Sequence, residues 1–155
     1  MTGRGIGASP LVARVRRAHP ADFPRVRARY AAWHYGSDIA LDDTVFIAED
    51  DEAFVGLVRL VQEHGVLVLR GMRVVAERQR QGVGTRLLHA LVADVGAEAC
   101  FCIPYPHVVG FYGRAGFVEI DPSDAPAFLA ERLTAYRRTR TEEQFTLMCR
   151  PPNWR

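Results

Sequence analysis

Three β-rich runs lie close together in the middle of the chain: TVFIAE (44–49), AFVGLVRLVQ (53–62) and VLVLRGMRVV (66–75). Only short polar connections separate them, at positions 50–52 and 63–65. Strands joined by connections of this length pair as hairpins. The three runs therefore predict an antiparallel meander, which any fold proposed for this chain must contain.

Strand-like and helical patterns alternate on both sides of this meander. Apolar residues at helical spacing run from Val83 to Val95 and stop at Gly96, a natural helix end. The other predicted elements are a strand at 11–20, a helix at 21–33, a buried strand at 99–105, a short helix at 107–116, a strand at 117–120, an amphipathic helix at 126–138 and a strand at 143–150. The order β-α-β-β-β-α-β-α-β-α-β predicts an α+β fold, in which helices flank a mixed, mostly antiparallel sheet.

Length and charge narrow the class of protein. A chain of 155 residues predicts a single domain over 1–155, and 48% hydrophobic residues suffice for a real core. A net charge of +2 is too small to indicate a nucleic-acid partner. No apolar run is long enough for a membrane span, and the first ten residues do not look like a signal peptide, so we expect a cytoplasmic protein.

The cysteines favour neither disulfides nor a metal site. Three is an odd number, and Cys100 and Cys102 alternate within an apolar run near His107. Zinc sites usually show wider Cys-x-x-Cys spacing and a second ligand pair. We predict buried strand thiols and no metal.

A glycine-rich segment, QRQGVG (79–84), joins the meander to the following helix. The start of a helix leaves backbone N–H groups without partners, and its dipole favours an anion. Glycines let the backbone approach a phosphate closely, and Arg78, Arg80 and Arg86 add positive charge. The segment is neither a P-loop, which needs Lys-Ser or Lys-Thr next, nor a dinucleotide fingerprint, which needs a third glycine. A pyrophosphate site and a tight turn with nothing bound both fit the segment alone.

Two motifs together resemble a known family. VVAERQRQGVGTRLL (74–88) resembles the acetyl-CoA motif of the GNAT superfamily of N-acetyltransferases, and FYGRAGF (111–117) resembles the family's Phe-Tyr-x-x-x-Gly-Phe segment. The resemblance covers residues from about 12 to 150, which is nearly the whole chain. It implies a GNAT-like fold, acetyl-CoA as cosubstrate and an N-acetyltransferase activity.

The resemblance also implies roles for particular residues. Met72, Arg73 and Val74, at the end of the third meander strand, would pair their backbone with the pantetheine arm, in a gap where the sheet splays apart. Val74 N–H would polarise the thioester carbonyl, and Tyr112 would protonate the departing thiolate after direct attack by an amine. The backbone amides implied to bind the CoA pyrophosphate are those of Gln79, Arg80, Gln81, Gly82, Val83, Gly84 and Thr85.

The general base and the acceptor stay open. Val68 occupies the place of a glutamate used by some family members, so Glu63 and His64 are candidates for moving a proton through water. Arg70 lies within an apolar run, and it either pairs with a carboxylate or grips an anionic group of the acceptor. The segment after the first helix, with Trp33, His34, Tyr35 and Asp38, is a candidate acceptor wall.

Two alternatives and one element are left open by the sequence. A non-catalytic acyl-CoA-binding sensor would keep the glycine loop but would not need Tyr112, so this residue favours the enzyme. A nucleic-acid binder is disfavoured by the near-neutral charge. The helix at 126–138 either covers the acceptor site or forms a homodimer surface. The predicted partners are acetyl-CoA and an amine, with neither nucleic acid nor membrane.

Overall fold

The computed structural model describes residues 12–35, 39–51, 53–140 and 144–153. Within them, the strands are β1 (Arg14–Arg17), β2 (Thr44–Asp50), β3 (Ala53–Glu63), β4 (Val66–Val74), β5 (Cys100–Cys102), β6 (Val118–Glu119) and β7 (Met148–Arg150). The α-helices are α1 (Phe23–Ala32), α2 (Val83–Val95), α3 (Val109–Gly113) and α4 (Ala127–Thr139). Their order along the chain is the one predicted from the sequence.

The strands form one sheet in the order β1-β2-β3-β4-β5-β7-β6. Every neighbouring pair is antiparallel except β4 and β5, which run parallel. The parallel pair is joined through α2, as a parallel connection requires. The predicted meander and the predicted α+β class are thus confirmed.

Helices cover both faces of the sheet, and each buries its apolar stripe. Leu60 of β3 packs with α2 residues such as Leu87 and Leu91, whereas Leu57, three residues earlier, packs with Val26 of α1. Val68 of β4 packs with a separate cluster that includes Leu129 and Leu133 of α4. The face covered by α1 and α4 therefore carries two distinct apolar clusters.

No helix in the described part of the chain is both long enough and apolar enough to cross a membrane.

A β-bulge interrupts the pairing of β3 with β4, beside Gly71. Gly71 has a positive φ of 65°, and its carbonyl accepts a hydrogen bond from the Tyr30 hydroxyl at 2.8 Å. A Cβ at this position would lie 2.8 Å from that hydroxyl oxygen. A glycine inside a strand pattern is the sequence signal for such a bulge. The bulge ties the middle of β4 to α1.

We expect Gly71→Ala to destabilise the fold by about 2 to 5 kcal/mol, from left-handed backbone strain plus the clash with Tyr30. Gly65 has a φ of +81° but no atom within 4 Å of its Cβ position, so Gly65→Ala should cost only about 1 to 2 kcal/mol. Urea unfolding of both variants measures the difference. Equal losses of stability in the two variants would show that the clash with Tyr30 contributes nothing to the destabilisation.

An ion-pair network fastens β1 to the start of α1. Arg16 contacts Asp22 at 2.8 Å and Glu49 at 2.8 Å. The hydrogen bond from Arg16 lowers the pKa of Asp22 to about 2. Because a carboxyl in the unfolded chain titrates near pH 4, this pair stabilises the fold fully above about pH 4, and the contribution is lost as the pH falls toward 2.

We therefore expect Asp22→Asn to lower the free energy of unfolding at pH 7 and to flatten its decline between about pH 4 and pH 2. Urea unfolding at several pH values in this window tests the expectation. If the variant and the wild type decline in parallel, other carboxyl groups cause the acid sensitivity.

Candidate active site

The sheet opens on one side of β4. β4 pairs with β5 only at Leu67 with Cys100 and at Val68 with Phe101. From Leu69 to Val74, β4 is paired with β3 alone within the described residues. The C-terminal half of β4 therefore borders a gap, at the place where the resemblance implies the acyl-CoA.

The backbone of Val74 faces this gap. Val75 N–H donates to the Val55 carbonyl of β3 at 2.8 Å. In an antiparallel ladder successive residues turn their polar groups to opposite sides, so the N–H of Val74 points away from β3. The Val74 carbonyl, on the same side, accepts a hydrogen bond from Gln79 Nε2 at 3.0 Å. Of the other two residues implied here, Met72 packs partly buried in the core, and the exposed Arg73 lies 5.9 Å from the ring of Trp33.

The first turn of α2 presents free backbone donors. The first hydrogen bond of the helix runs from Arg86 N to the Gly82 carbonyl, so the N–H groups of Val83, Gly84 and Thr85 precede it. No side chain caps this end, and no acidic residue lies in the first turn. The positive end of the helix dipole is therefore left for an anion.

The loop before α2 has the open shape that such an anion needs. Gly82, at the N-cap, adopts the left-handed conformation with φ 82°, and its Cβ position has no atom within 4 Å. Arg80 also has a positive φ, 63°. Gln79 and Gln81 donate their side-chain amides to backbone carbonyls of 74 and 77. These two side chains brace the loop. The backbone N–H of Gln79 itself donates to the Ala76 carbonyl at 3.3 Å, so the structure engages this one of the predicted pyrophosphate amides elsewhere.

Two of the three arginines near the loop have partners in the rest of the fold. Arg78 forms an ion pair with Asp50 of β2 at 2.9 Å, and Arg86 donates to the Ala13 carbonyl. Both therefore fasten the loop and α2 to the rest of the fold. Of the three, only Arg80 is exposed. Spacing along the chain did not indicate the distant partners that engage the other two.

Tyr112 of α3 is buried, with ring contacts to Phe111 and Phe117. Phe111 lies 3.5 Å from the Cβ position of Gly84, so the second motif packs directly on the first. Burial raises the pKa of the Tyr112 phenol, and the neighbouring Cys102 and Tyr35 raise it further. The phenol therefore keeps its proton at any physiological pH, as a general acid must.

The cysteines are unsuited to nucleophilic chemistry. Cys100 and Cys102 are both buried in β5, as predicted. Burial raises the pKa of the Cys100 thiol to about 12, and burial likewise raises that of Cys102. Among the described residues there is no group of three or more His, Cys, Asp and Glu side chains placed to hold a metal ion.

The candidates for base and acceptor contact lie on the face covered by α1 and α4. Glu63 contacts Arg70 at 3.2 Å and Arg132 of α4 at 2.8 Å. Burial alone would raise the pKa of Glu63, but the hydrogen bond and charge of Arg132 and the charge of Arg70 lower it overall. Arg70 thus has the carboxylate partner that the sequence left open. His64, in the turn with φ 49°, packs its ring on Phe128 at 4.5 Å.

The sequence does not indicate the contacts that Arg132 and Tyr35 make in this region. Arg132 reaches Glu63 across 69 residues of sequence, a contact that no local pattern indicates. Tyr35, predicted as part of the acceptor wall, packs its ring against Tyr30 at 5.1 Å. Trp33 packs edge-on against the same Tyr30 ring. Asp38 lies outside the described residues.

The chain belongs to the GNAT acetyltransferase family, because the family model of the acetyltransferase (GNAT) domain matches residues 27–128. The protein is therefore an acyltransferase, and the resemblance drawn from the two motifs is confirmed. No curated protein matches the sequence.

Solved structures share the fold at low sequence identity. N-acetylglutamate synthase from Neisseria gonorrhoeae, complexed with coenzyme A and N-acetyl-glutamate, matches with a TM-score of 0.68 and 16% identity over 92% of this chain and 35% of its own. ElaA from Escherichia coli matches with a TM-score of 0.64 and 12% identity over 89% of this chain and 99% of its own. An acyl-CoA N-acyltransferase from Pseudomonas aeruginosa matches with a TM-score of 0.61 and 16% identity over 88% and 99%. This chain thus spans about a third of the synthase, and the predicted GNAT-like fold is confirmed.

Proposed function

We propose that this protein transfers an acetyl group from acetyl-CoA directly to a primary amine of a small molecule, an amino acid or a protein. The observation that carries the proposal is the gap beside β4, which has the uncapped start of α2 at one end, together with the buried Tyr112 of α3 in the apolar cluster that Met72 and Val74 pack against. Membership of the GNAT family supports it. The related synthase from Neisseria gonorrhoeae, which is complexed with coenzyme A, supports the choice of cosubstrate.

The residues of the gap fit acetyl-CoA. The free N–H groups at the start of α2 suit the pyrophosphate, and the space above Gly82 leaves room for it. The outward backbone of Val74 would pair with the pantetheine arm as a further strand would. The thioester would then lie in the gap, within reach of Tyr112.

The proposed reaction needs no covalent enzyme intermediate. A neutral amine attacks the thioester carbonyl, a C–N bond forms, and Val74 N–H stabilises the negative charge on the oxygen. As the C–S bond breaks, Tyr112 gives its proton to the thiolate. The phenolate then takes up the proton that the amine has lost, so the products are an amide and free CoA thiol.

The proton lost by the amine reaches the phenolate through water in this proposal. Glu63 is a weak base because its pKa is lowered overall, although burial opposes the effect of Arg132 and Arg70. His64, in the same turn, is the other candidate, and it lies against Phe128. Val68, which occupies the position of a glutamate in some family members, is buried in the core and has no ionisable group that could accept a proton.

Incubation with acetyl-CoA and a panel of primary amines tests the proposal, with CoA thiol release and the mass of the product as readouts. We expect equal amounts of thiol and N-acetylated amine. Thiol release without an acetylated amine would mean hydrolysis only. Neither product, in protein that binds acetyl-CoA, would favour the non-catalytic sensor.

A further inference from the structure

A group of charged side chains, the polar cluster, separates the two apolar clusters on the face covered by α1 and α4. Arg59 of β3 lies directly opposite Arg70 of β4 in the register, so the two guanidinium groups share this face. The members of the polar cluster are Asp43, Arg59, Glu63, Arg70 and Arg132.

The polar cluster has a buried part and a reachable part. Arg59 and Asp43 form an ion pair at 2.8 Å whose side chains are 2% and 6% exposed. Arg70, Glu63 and Arg132 keep 21%, 18% and 23% of their side chains exposed. The first pair is a fixed part of the interior, whereas the second group is open to a small ligand.

The reachable part has more positive than negative charge. Two guanidinium groups, those of Arg70 and Arg132, share the single carboxylate of Glu63. The buried pair is balanced, so the polar cluster as a whole carries three positive groups and two negative ones. Arg70 donates to Glu63 through Nη1 and also has Tyr136 as a hydrogen-bond partner, whereas a guanidinium has five N–H donors. A second carboxylate, supplied by a ligand, would neutralise the remaining positive charge.

The polar cluster and the proposed transfer site share strand β4, which carries Arg70 of the first and Val74 of the second. Arg70 precedes Met72 by two residues, which is about 7 Å along a strand. Tyr30 bonds the carbonyl of Gly71, the residue between them.

We propose that the acceptor is an aminocarboxylate, whose carboxylate binds Arg70 and Arg132 while its amine reaches the gap beside β4. Guanidinium groups bind carboxylates through paired N–H donors, which fixes orientation as well as charge. Without an acceptor, the Glu63 carboxylate occupies N–H donors of both arginines. This inference rests on the proposed acetyl transfer and specifies its substrate.

Matched pairs of acceptors test the inference: L-phenylalanine with L-phenylalaninamide, L-leucine with L-leucinamide, and 4-aminobutyrate with 4-aminobutyramide. We expect the wild type to acetylate at least one acid roughly 10- to 100-fold more efficiently, in kcat/KM, than its amide. Arg70→Gln and Arg132→Gln should abolish that preference mainly by raising the KM for the acid, with the amide little affected.

Two further variants separate binding from a structural role. Glu63→Gln removes the competing internal carboxylate, so the preference for acids should rise or persist, whereas a purely structural ion pair predicts equal losses for acid and amide. Arg138→Gln, the same change at an exposed arginine of α4, should leave the kinetics unchanged. Melting temperatures with and without acetyl-CoA confirm that each variant folds and binds the cosubstrate.

The outcomes distinguish this inference from the function on which it rests. Amides acetylated as well as acids, or no acid acetylated at all, by a wild type that acetyl-CoA stabilises would overturn the aminocarboxylate assignment alone. Absence of any stabilisation by acetyl-CoA would overturn the proposed function itself.

Discussion

Tyr112→Phe should lower kcat about 10²- to 10⁴-fold while leaving the affinity for acetyl-CoA and the melting temperature nearly unchanged. The substitution removes only the hydroxyl that would protonate the departing thiolate. Phenylalanine keeps the ring contacts with Phe111 and Phe117, so the packing of α3 should survive.

The size of the expected loss follows from the chemistry of the leaving group. The pKa of the Tyr112 phenol is raised first by its burial, so the hydroxyl is protonated over the whole working pH range. An acid of this kind matters most when the C–S bond breaks, and kcat should fall more than KM rises.

Tyr105→Phe is the matched control for that experiment. Tyr105 is exposed, and its hydroxyl accepts a hydrogen bond from Arg140 at 2.8 Å. Initial rates of thiol release, with an amine that the wild type acetylates, measure both variants. Equal kcat values for Tyr112→Phe and the wild type would mean that water or another group protonates the thiolate.

Gly84→Leu should abolish the stabilisation of the protein by acetyl-CoA. A cosubstrate at about a hundred times its Kd adds roughly 2.7 kcal/mol, which is about 5 to 10 °C in Tm for a chain of this size. Gly84 lies in the uncapped first turn of α2, and its Cβ position is 3.5 Å from Phe111 and 3.8 Å from Val74. A leucine side chain there would occupy space beside the proposed pyrophosphate site.

Alanine at 84 meets only ordinary contacts, so Gly84→Ala should retain much of the shift. Ala93→Leu, which adds bulk to the exposed side of the same helix, should retain all of it. Thermal melts with and without acetyl-CoA compare the three. A full shift in Gly84→Leu would place the binding site elsewhere.

The order of elements could be predicted because it depends on local patterns. The short connections of the meander specify three strands. The helical spacing after Gly84 and the wholly apolar run around Phe101 specify one element each. Helix α4 was predicted from an apolar stripe that includes Leu129 and Leu133, both of which are buried. Periodicity records which face an element buries, and that was enough for the fold class.

The partners of charged residues could not be predicted in the same way. Arg78 meets Asp50, Arg86 meets the carbonyl of Ala13, and Glu63 meets Arg132 only after the chain has folded. These contacts join elements that are far apart in sequence, and many charge pairings are compatible with one pattern.

The prediction of a single domain, with a core from about 12 to 150, stays a prediction, as do the roles of the site residues.

The most direct test of the account is the response of backbone amides to acetyl-CoA in ¹H–¹⁵N NMR spectra of the uniformly labelled protein. We predict the largest shift changes at Val74 and at the first turn of α2, Val83 to Thr85, because these N–H groups face the proposed ligand. Peaks that do not move there, or that move only on the outer face of α4, would contradict the assignment of the gap beside β4 as the acyl-CoA site.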